Sequence, residues 1–369
     1  TMLHSSDPPL LRSYAQLLGR PLQDSADQEA PERQVAPPEE RPLPVIDLAP
    51  LFADSNPGRR ACEEAIAAAA AEWGFFQVVS HGVRAEVVER VGREAAELFA
   101  APFERKSEGE FPWGCYRWGS PSATDARQLS WSEAFHIPVA LISGGGCSPD
   151  LGSKIGCRDA LEEFAEAMSG VARTVAGVLA RRLRGSEGDV VSGEGAFWKG
   201  GGGSVLRLNR YPPCTVGGEV VGLVAHTDSS LVTVVWQDEG GGLEVKKNSE
   251  WVGVRPKRGG LVVNIGDMFQ VWSNDGYKSV EHRVRADARR ERRSAAYFLC
   301  PADEAVMRRL TAEPPKYREF RFGEYRAQVQ RDVACSGDKV GLRRFRIIQG
   351  LHRPTLHPDL HQGDEDMGP

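Results

Sequence analysis

Gly222-Leu223-Val224-Ala225-His226-Thr227-Asp228 lies in the middle of the stretch whose texture decides the fold. From residue 204 to about 301 the chain breaks into short runs of Val, Leu, Ile, Thr and aromatics, punctuated by Pro212-Pro213, Gly240-Gly241-Gly242 and Asn274-Asp275-Gly276. Apolar and β-branched runs bounded by Gly, Pro and Asn are strand-and-turn sequence. Roughly eight such strands in about a hundred residues predict a closed β-architecture, a jelly roll.

Outward from this core the pattern turns helical. Residues 59–72 form an Ala/Glu helix, and Val87, Val88, Val91, Ala95, Leu98 and Phe99 repeat at helical spacing over 84–100. Further helices are predicted at about 158–184 and 317–333. Leu43-Pro44-Val45-Ile46-Asp47-Leu48 and Gly74-Phe75-Phe76-Gln77-Val78-Val79 read as strands, the second ending at His81-Gly82. The stretch 111–138 reads as an aromatic loop, with Trp113, Tyr116, Trp118, Trp131 and Phe135 among Gly, Ser and Pro. The expected organisation is a disordered tail over 1–40 with a short helix near 10–18, then an α/β region over 41–200. The jelly-roll core over 201–302, a helical segment over 303–345 and a disordered tail over 346–369 follow. The fold class is thus a mostly β core with flanking helices, a distorted double-stranded β-helix with an N-terminal α/β extension.

At 369 residues, 41% hydrophobic and 26% charged, the composition is that of a globular protein. A net charge of −5 does not advertise nucleic acid or an anionic membrane as partner. Cys62, Cys115, Cys147, Cys157, Cys214, Cys300 and Cys335 are scattered, odd in number and never paired as C-x-x-C. That argues against a disulfide framework or zinc ribbon and for a reducing compartment, so cytoplasmic localisation is expected. The Ala-rich run at 65–71 is too short to span a bilayer and is flanked by Glu63, Glu64 and Glu72.

The chemistry concentrates in the core. His226 and Asp228, two apart, face one way if they lie on a strand, and an apolar run leads up to them. A buried carboxylate beside an imidazole needs a partner or a metal. His282, in Ser279-Val280-Glu281-His282-Arg283-Val284, supplies a second imidazole from another strand. Two imidazoles and one carboxylate are the ligand set of a mononuclear non-haem Fe(II) centre, which keeps positions open for a bidentate 2-oxo acid and O2. Arg292 and Ser294 again share a strand face, with Arg293 turned away. A guanidinium fork with a hydroxyl beside it suits the far carboxylate of a dicarboxylate such as 2-oxoglutarate. Asn209 and Tyr211 share a face as well and offer neutral groups to orient that co-substrate.

Other features carry less. His81 reads as a turn residue and His136 as structural or pocket-lining, while His4, His352, His357 and His361 fall in the tails. Lys199 precedes the glycines at 200–203, so they form no phosphate loop. The arginines of 283–293 have no interleaved aromatics and read as a solvated hairpin.

With these residues in view, the chain resembles the plant 2-oxoglutarate/Fe(II)-dependent dioxygenases over residues 43–345. The resemblance rests on the run from Trp73 to Gly82, Asn209-x-Tyr211-Pro212-Pro213-Cys214, His226-Thr227-Asp228 and Asn264-Ile265-Gly266-Asp267. It continues through Ser279-Val280-x-His282-Arg283-Val284 and Arg292-x-Ser294. Within that family it is most similar to gibberellin 2-oxidases acting on C20 gibberellins. Tyr116-Arg117-Trp118-Gly119, the run from Gln128 to Pro138, Trp272-Ser273-Asn274-Asp275 and the tail from Tyr317 to Arg326 carry that closer likeness. Arg210 departs from the family, which commonly has an aromatic or His there, and the arginines at 289–293 are also unusual.

The resemblance implies 2β-hydroxylation of a gibberellin, coupled to conversion of 2-oxoglutarate and O2 to succinate and CO2, with ascorbate supporting activity. It implies a small-molecule substrate, no nucleic-acid or membrane partner, and no particular oligomeric state. Arg117 is expected to pair with a substrate carboxylate while Tyr116 and Trp118 line the cavity. Two alternatives stand beside this reading. One is a same-core dioxygenase of a flavonoid or another terpenoid acid; the other is a catalytically dead jelly-roll binding protein.

Overall fold

Alternation between buried and accessible side chains sorts the strands into two sheets. The computed structural model describes residues 14, 16–17, 40–53, 57–107, 116–142, 158–184, 203–214 and 220–347. The described strands up to residue 299 are, in chain order, β1 (Glu40–Arg41), β2 (Val45–Asp47), β3 (Phe75–Val79), β4 (Tyr116–Trp118), β5 (Glu133–Pro138) and β6 (Val205–Tyr211). They continue as β7 (Leu223–His226), β8 (Val232–Gln237), β9 (Leu243–Lys247), β10 (Glu250–Val254), β11 (Leu261–Ile265), β12 (His282–Val284) and β13 (Arg292–Leu299). The larger sheet runs β2-β3-β11-β8-β13-β6-β5-β4 and the smaller β1-β10-β9-β12-β7. Together they make the distorted jelly roll, with helices flanking it.

The two faces of the larger sheet do different work. Leu206, Leu208, Ala295, Tyr297 and Leu299 point outward into the main core, against α3 (Arg158–Arg184). Behind the same core lie α1 (Arg59–Glu72) and α2 (Ala85–Ala100), whose Ile66, Val87, Val91 and Phe99 are buried. On the inner face, Phe75, Tyr211 and Val262 meet Leu243, Val245 and Val284 of the smaller sheet in a second cluster. Burying such side chains contributes roughly 1.5–3 kcal/mol each, which makes the sheets a stiff frame for whatever lines the open end.

Several elements differ from the sequence reading. Residues 116–118 and 133–138 are strands that extend the larger sheet, not loop. The Gly and Ser between them obscured the alternation of Phe135 and Ile137 (buried) with His136 (accessible). A short helix, α4 (Asp267–Trp272), follows Asn264-Ile265-Gly266. Gly266 is required there: a Cβ at this position would lie 2.1 Å from the Ser230 carbonyl oxygen. The last helix, α5 (Phe322–Ser336), starts later than the pattern suggests and ends on Gly337 at positive φ. Tyr14, in the N-terminal segment, is buried and donates its hydroxyl to the Ser130 carbonyl. Residues 346–347, expected in the C-terminal tail, are described and bridge back to Lys316 and Tyr317. Residues 1–13, 18–39 and 348–369, with their four histidines, lie outside the described residues, as do Trp113 and residues 200–202.

Candidate active site

Strand register builds the centre of the site. β12 pairs antiparallel with β7 so that His282 lies directly opposite His226, ring centroids 4.3 Å apart. β7 ends at His226, so Asp228 is delivered by the turn after the strand and not by strand parity. The extended segment expected before His282 is likewise shorter, since β12 begins at that residue.

Hydrogen bonds then fix which atoms face inward. His226 Nδ1 donates to the Val224 carbonyl at 2.8 Å and His282 Nδ1 to the Val280 carbonyl at 3.1 Å. A carbonyl only accepts, so each Nε2 keeps its lone pair. Both Nε2 atoms stand 3.6 Å from Asp228 Oδ1. The other carboxylate oxygen, Oδ2, accepts from Thr233 Oγ1 at 2.7 Å and Asn264 Nδ2 at 2.8 Å. Three lone-pair donors thus converge within 4.8 Å with their remaining atoms committed elsewhere. This oriented outer ring is what a metal site requires.

Electrostatics agree with the geometry. Burial pushes the His226 imidazole well below its usual range, reinforced by His282, so it is held neutral. Burial opposes ionisation of Asp228, but the two imidazoles and the Asn264 and Thr233 donors outweigh it and keep the carboxyl low. Neutral imidazole beside ionised carboxylate is the protonation state that ligates. The donor set fits Fe(II): nitrogen and oxygen ligands on one face, with coordination positions left free.

A second polar cluster braces the turn that carries Asp228. Lys339 Nζ donates to Asp267 Oδ2 at 2.7 Å, the Thr227 carbonyl at 2.8 Å and Ser229 Oγ at 3.0 Å. Thr227 Oγ1 and the Tyr325 hydroxyl also donate to Asp267, and the Asp267 amide donates to the Asp228 carbonyl at 2.8 Å. Sequence reasoning missed Lys339, Tyr325, Thr233 and Asn264 as supports. Asn264 and Asp267, in the quoted Asn-Ile-Gly-Asp motif, and Tyr325, in the quoted tail, offered a local signal; Lys339 and Thr233 offered none.

Beside the metal ligands, β13 and β6 bring Arg292, Ser294, Tyr211 and Asn209 together. Register pairs Arg292 with Tyr211 and Ser294 with Asn209. The Arg292 side chain is buried, donates to the Gly241 carbonyl at 2.6 Å and Gln237 Oε1 at 2.7 Å, and lies 4.8 Å over the Tyr211 ring. Ser294 Oγ accepts from Arg292 Nη1 and Asn209 Nδ2, both at 3.3 Å, which leaves its own hydroxyl proton to donate outward. Gly241 and Gly242 hold positive φ under the guanidinium, a conformation that favours glycine. Arg293, on the opposite face, pairs with Glu291 at 2.6 Å.

Of the three expected substrate residues, the structure puts only Arg117 on the inner face. It pairs in register with Ala134, the neighbour of Asn209. Tyr116 and Trp118 alternate to the other side. The Tyr116 hydroxyl donates to buried Glu133 at 2.6 Å, and Trp118 packs among Tyr14, Leu129 and Trp131. Glu133 also receives Lys106 at 2.7 Å and Arg210 at 2.7 Å, and Arg210 reaches Glu291 at 2.6 Å. The unusual Arg210 therefore belongs to an outer-face charge network. His81 is a turn residue: its Nδ1 accepts from the Val83 amide and its Nε2 donates to the Gly259 carbonyl.

Comparison with known proteins defines the class to which this fold and site belong. Residues 202–301 match the 2OG-Fe(II) oxygenase superfamily, and residues 43–144 match the non-haem dioxygenase in morphine synthesis N-terminal family. The chain belongs to the 2OG-Fe(II) oxygenase superfamily; it is an enzyme whose site takes Fe(II) and 2-oxoglutarate and acts on small molecules. It is 51% identical to Gibberellin 2-beta-dioxygenase 6 of Oryza sativa subsp. japonica over 83% of this chain and 85% of the relative. Identity to Gibberellin 2-beta-dioxygenase 8 of Arabidopsis thaliana is 46%, over 83% and 88%. Among solved structures, JOX2 in complex with 2OG, Fe and JA superposes with a TM-score of 0.70 at 27% identity, covering 93% of this chain and 99% of that one. The dioxygenase for auxin oxidation in rice gives 0.65 at 28% identity, covering 83% and 100%. No described helix is long and apolar enough to cross a membrane.

Proposed function

We propose that the protein inactivates gibberellins by 2β-hydroxylation, with C20 gibberellins preferred. The observation that carries this reading is the 51% identity over most of both chains to a rice gibberellin 2-beta-dioxygenase. The C20 preference rests on the motifs around Tyr116-Arg117-Trp118-Gly119 and the run from Gln128 to Pro138. When bound, Fe(II) supplies the site for O2 chemistry in which one oxygen atom enters a substrate C–H bond and the other enters succinate, with loss of CO2.

The chain's own residues then have separate tasks. His226, Asp228 and His282 hold the metal on one face. Arg292 and Ser294 hold the far carboxylate of 2-oxoglutarate, and Asn209 and Tyr211 orient it. Arg117 faces the substrate side and is assigned to a substrate carboxylate; Tyr116 and Trp118 fix the strand that carries it. Among the described residues Cys62, Cys300 and Cys335 are free thiols, which supports action in a reducing compartment, the cytoplasm.

The test is incubation of the purified protein with Fe(II), ascorbate, 2-oxoglutarate and a panel of C19 and C20 gibberellins, with products read by mass spectrometry. Hydroxylated C20 products with matching succinate are expected. Hydroxylation confined to flavonoids or other terpenoid acids would replace the gibberellin reading.

A further inference from the structure

Among the described residues, Arg207 forms no ion pair with a carboxylate. It stands two residues before Asn209 on β6 and therefore shares its inner face. Register carries that face sideways. Ser294, Asn209, Ala134 and Arg117 form one row across β13, β6, β5 and β4, and Ala296, Arg207 and His136 form the next. Alanine at 134 and 296 keeps the surface between the long side chains low.

Neighbouring arginines are all engaged. Arg210 has Glu133 and Glu291, Arg326 has Asp303 at 3.2 Å, and Arg292 has Gly241 and Gln237. Arg207 Nε is buried with no hydrogen-bond partner, and among the described residues no ion pair holds Arg207 or Arg117. Burial pulls the Arg207 guanidinium below its usual range and Arg117 adds to this, while Tyr211 and Asp228 oppose it without cancelling it. Removal of the ring from bulk water, then Arg207, Arg117 and Arg326, holds the His136 imidazole down at about 4, so it is neutral near pH 7 and adds no third charge. Arg207 is half-buried and Arg117 exposed, and the Asp228 carboxylate reaches Arg207 only through its field, so an anion seated between the two guanidiniums would gain from both.

We propose that Arg207 and Arg117 form a paired-guanidinium seat for a carboxylate of the organic substrate, with neutral His136 as a hydrogen-bonding neighbour. The seat is distinct from the Arg292 clamp, which sits further along the same strands. The charge of Arg207 is felt at both His226 and Asp228, so an acid group held there lies close to the metal ligands. On a rigid skeleton, fixing one carboxylate selects the carbon presented to the metal. This makes Arg207 a specificity-determining residue, and it rests on the gibberellin reading only in the choice of probe.

The experiment compares turnover of a C20 gibberellin and its methyl ester by wild type, Arg207→Gln and Arg117→Gln, with thermal stability measured alongside. Wild type should favour the acid by roughly ten- to a hundred-fold in kcat/KM, the range of a charge-assisted hydrogen bond. The acid-to-ester ratio should collapse toward one in Arg207→Gln. Its Tm should not fall, because no internal ion pair is lost. Equal losses on acid and ester with a lowered Tm would make Arg207 structural, and a change confined to the 2-oxoglutarate KM would assign it to the co-substrate; either overturns the proposal. If wild type hydroxylates no gibberellin, the same acid–ester comparison on other terpenoid acids decides. Discrimination there keeps the seat while removing the gibberellin reading, and none removes the seat.

Discussion

The metal pole and the β4–β6 inner wall stand a few residues apart on the same frame and are built in opposite ways. At the pole the ligating residues are held in place: Asp228 by Thr233 and Asn264, His226 and His282 by the Val224 and Val280 carbonyls. On the wall, Arg207 and Arg117 have no anionic partner among the described residues. A fully braced site is prepared for the same ligands in every turnover, since donors that need not reorganise hold a fixed group best. Unpaired cations are instead completed by what enters. On the proposed assignment, the difference separates the cofactor pole from the substrate wall.

The largest effect expected from breaking the pole is Asp228→Ala, which removes the anionic ligand of the triad. Iron retention, measured by metal analysis after desalting, and hydroxylation should both be lost. Next comes Arg292→Ala. Losing one partner of a buried charge pair costs about 3–5 kcal/mol, so the 2-oxoglutarate KM should rise by roughly two to four orders of magnitude. Arg293→Ala, whose side chain pairs with Glu291 on the other face, should change it little. If the two variants exchanged behaviour, the assignment of faces on β13 would be reversed.

Smaller effects sharpen the comparison. Asn264→Ala leaves all three ligands but removes one donor to Asp228 Oδ2, so iron affinity should fall about 10–100-fold while the acid-to-ester ratio stays as in wild type. Lys339→Met acts one layer further out. It breaks the buried pair with Asp267 and should lower stability by roughly 3 kcal/mol, seen as a reduced Tm, with a weaker effect on iron affinity than Asn264→Ala. Iron affinity falling more in Lys339→Met than in Asn264→Ala would place the control of Asp228 in the C-terminal segment.

Much of this was legible in residue spacing. The helices at 59–72 and 158–184 read directly from composition and period, and strand parity sorted Arg292 from Arg293 and grouped Asn209 with Tyr211. The same parity, carried two residues back, reaches Arg207, yet nothing in the sequence shows that its guanidinium lacks a partner. Tyr116-Arg117-Trp118 read as a loop with three cavity-lining residues; as a strand it presents only Arg117 inward. Lys339 and Tyr325 lie far along the chain from Asp267, and only the packing of α5 and the residues after it brings them there. Local patterns specify elements and faces, whereas long-range polar contacts depend on how those elements close on one another.

The most direct measurement of the central claim is anaerobic titration of the Fe(II)-loaded protein with 2-oxoglutarate, following the visible absorption that develops when a 2-oxo acid chelates Fe(II). Wild type should give a saturable band, Arg292→Ala the same band at a much higher midpoint, and Asp228→Ala no band. An unaltered band in Asp228→Ala, or an unshifted midpoint in Arg292→Ala, would contradict the account of how this barrel holds its metal and co-substrate.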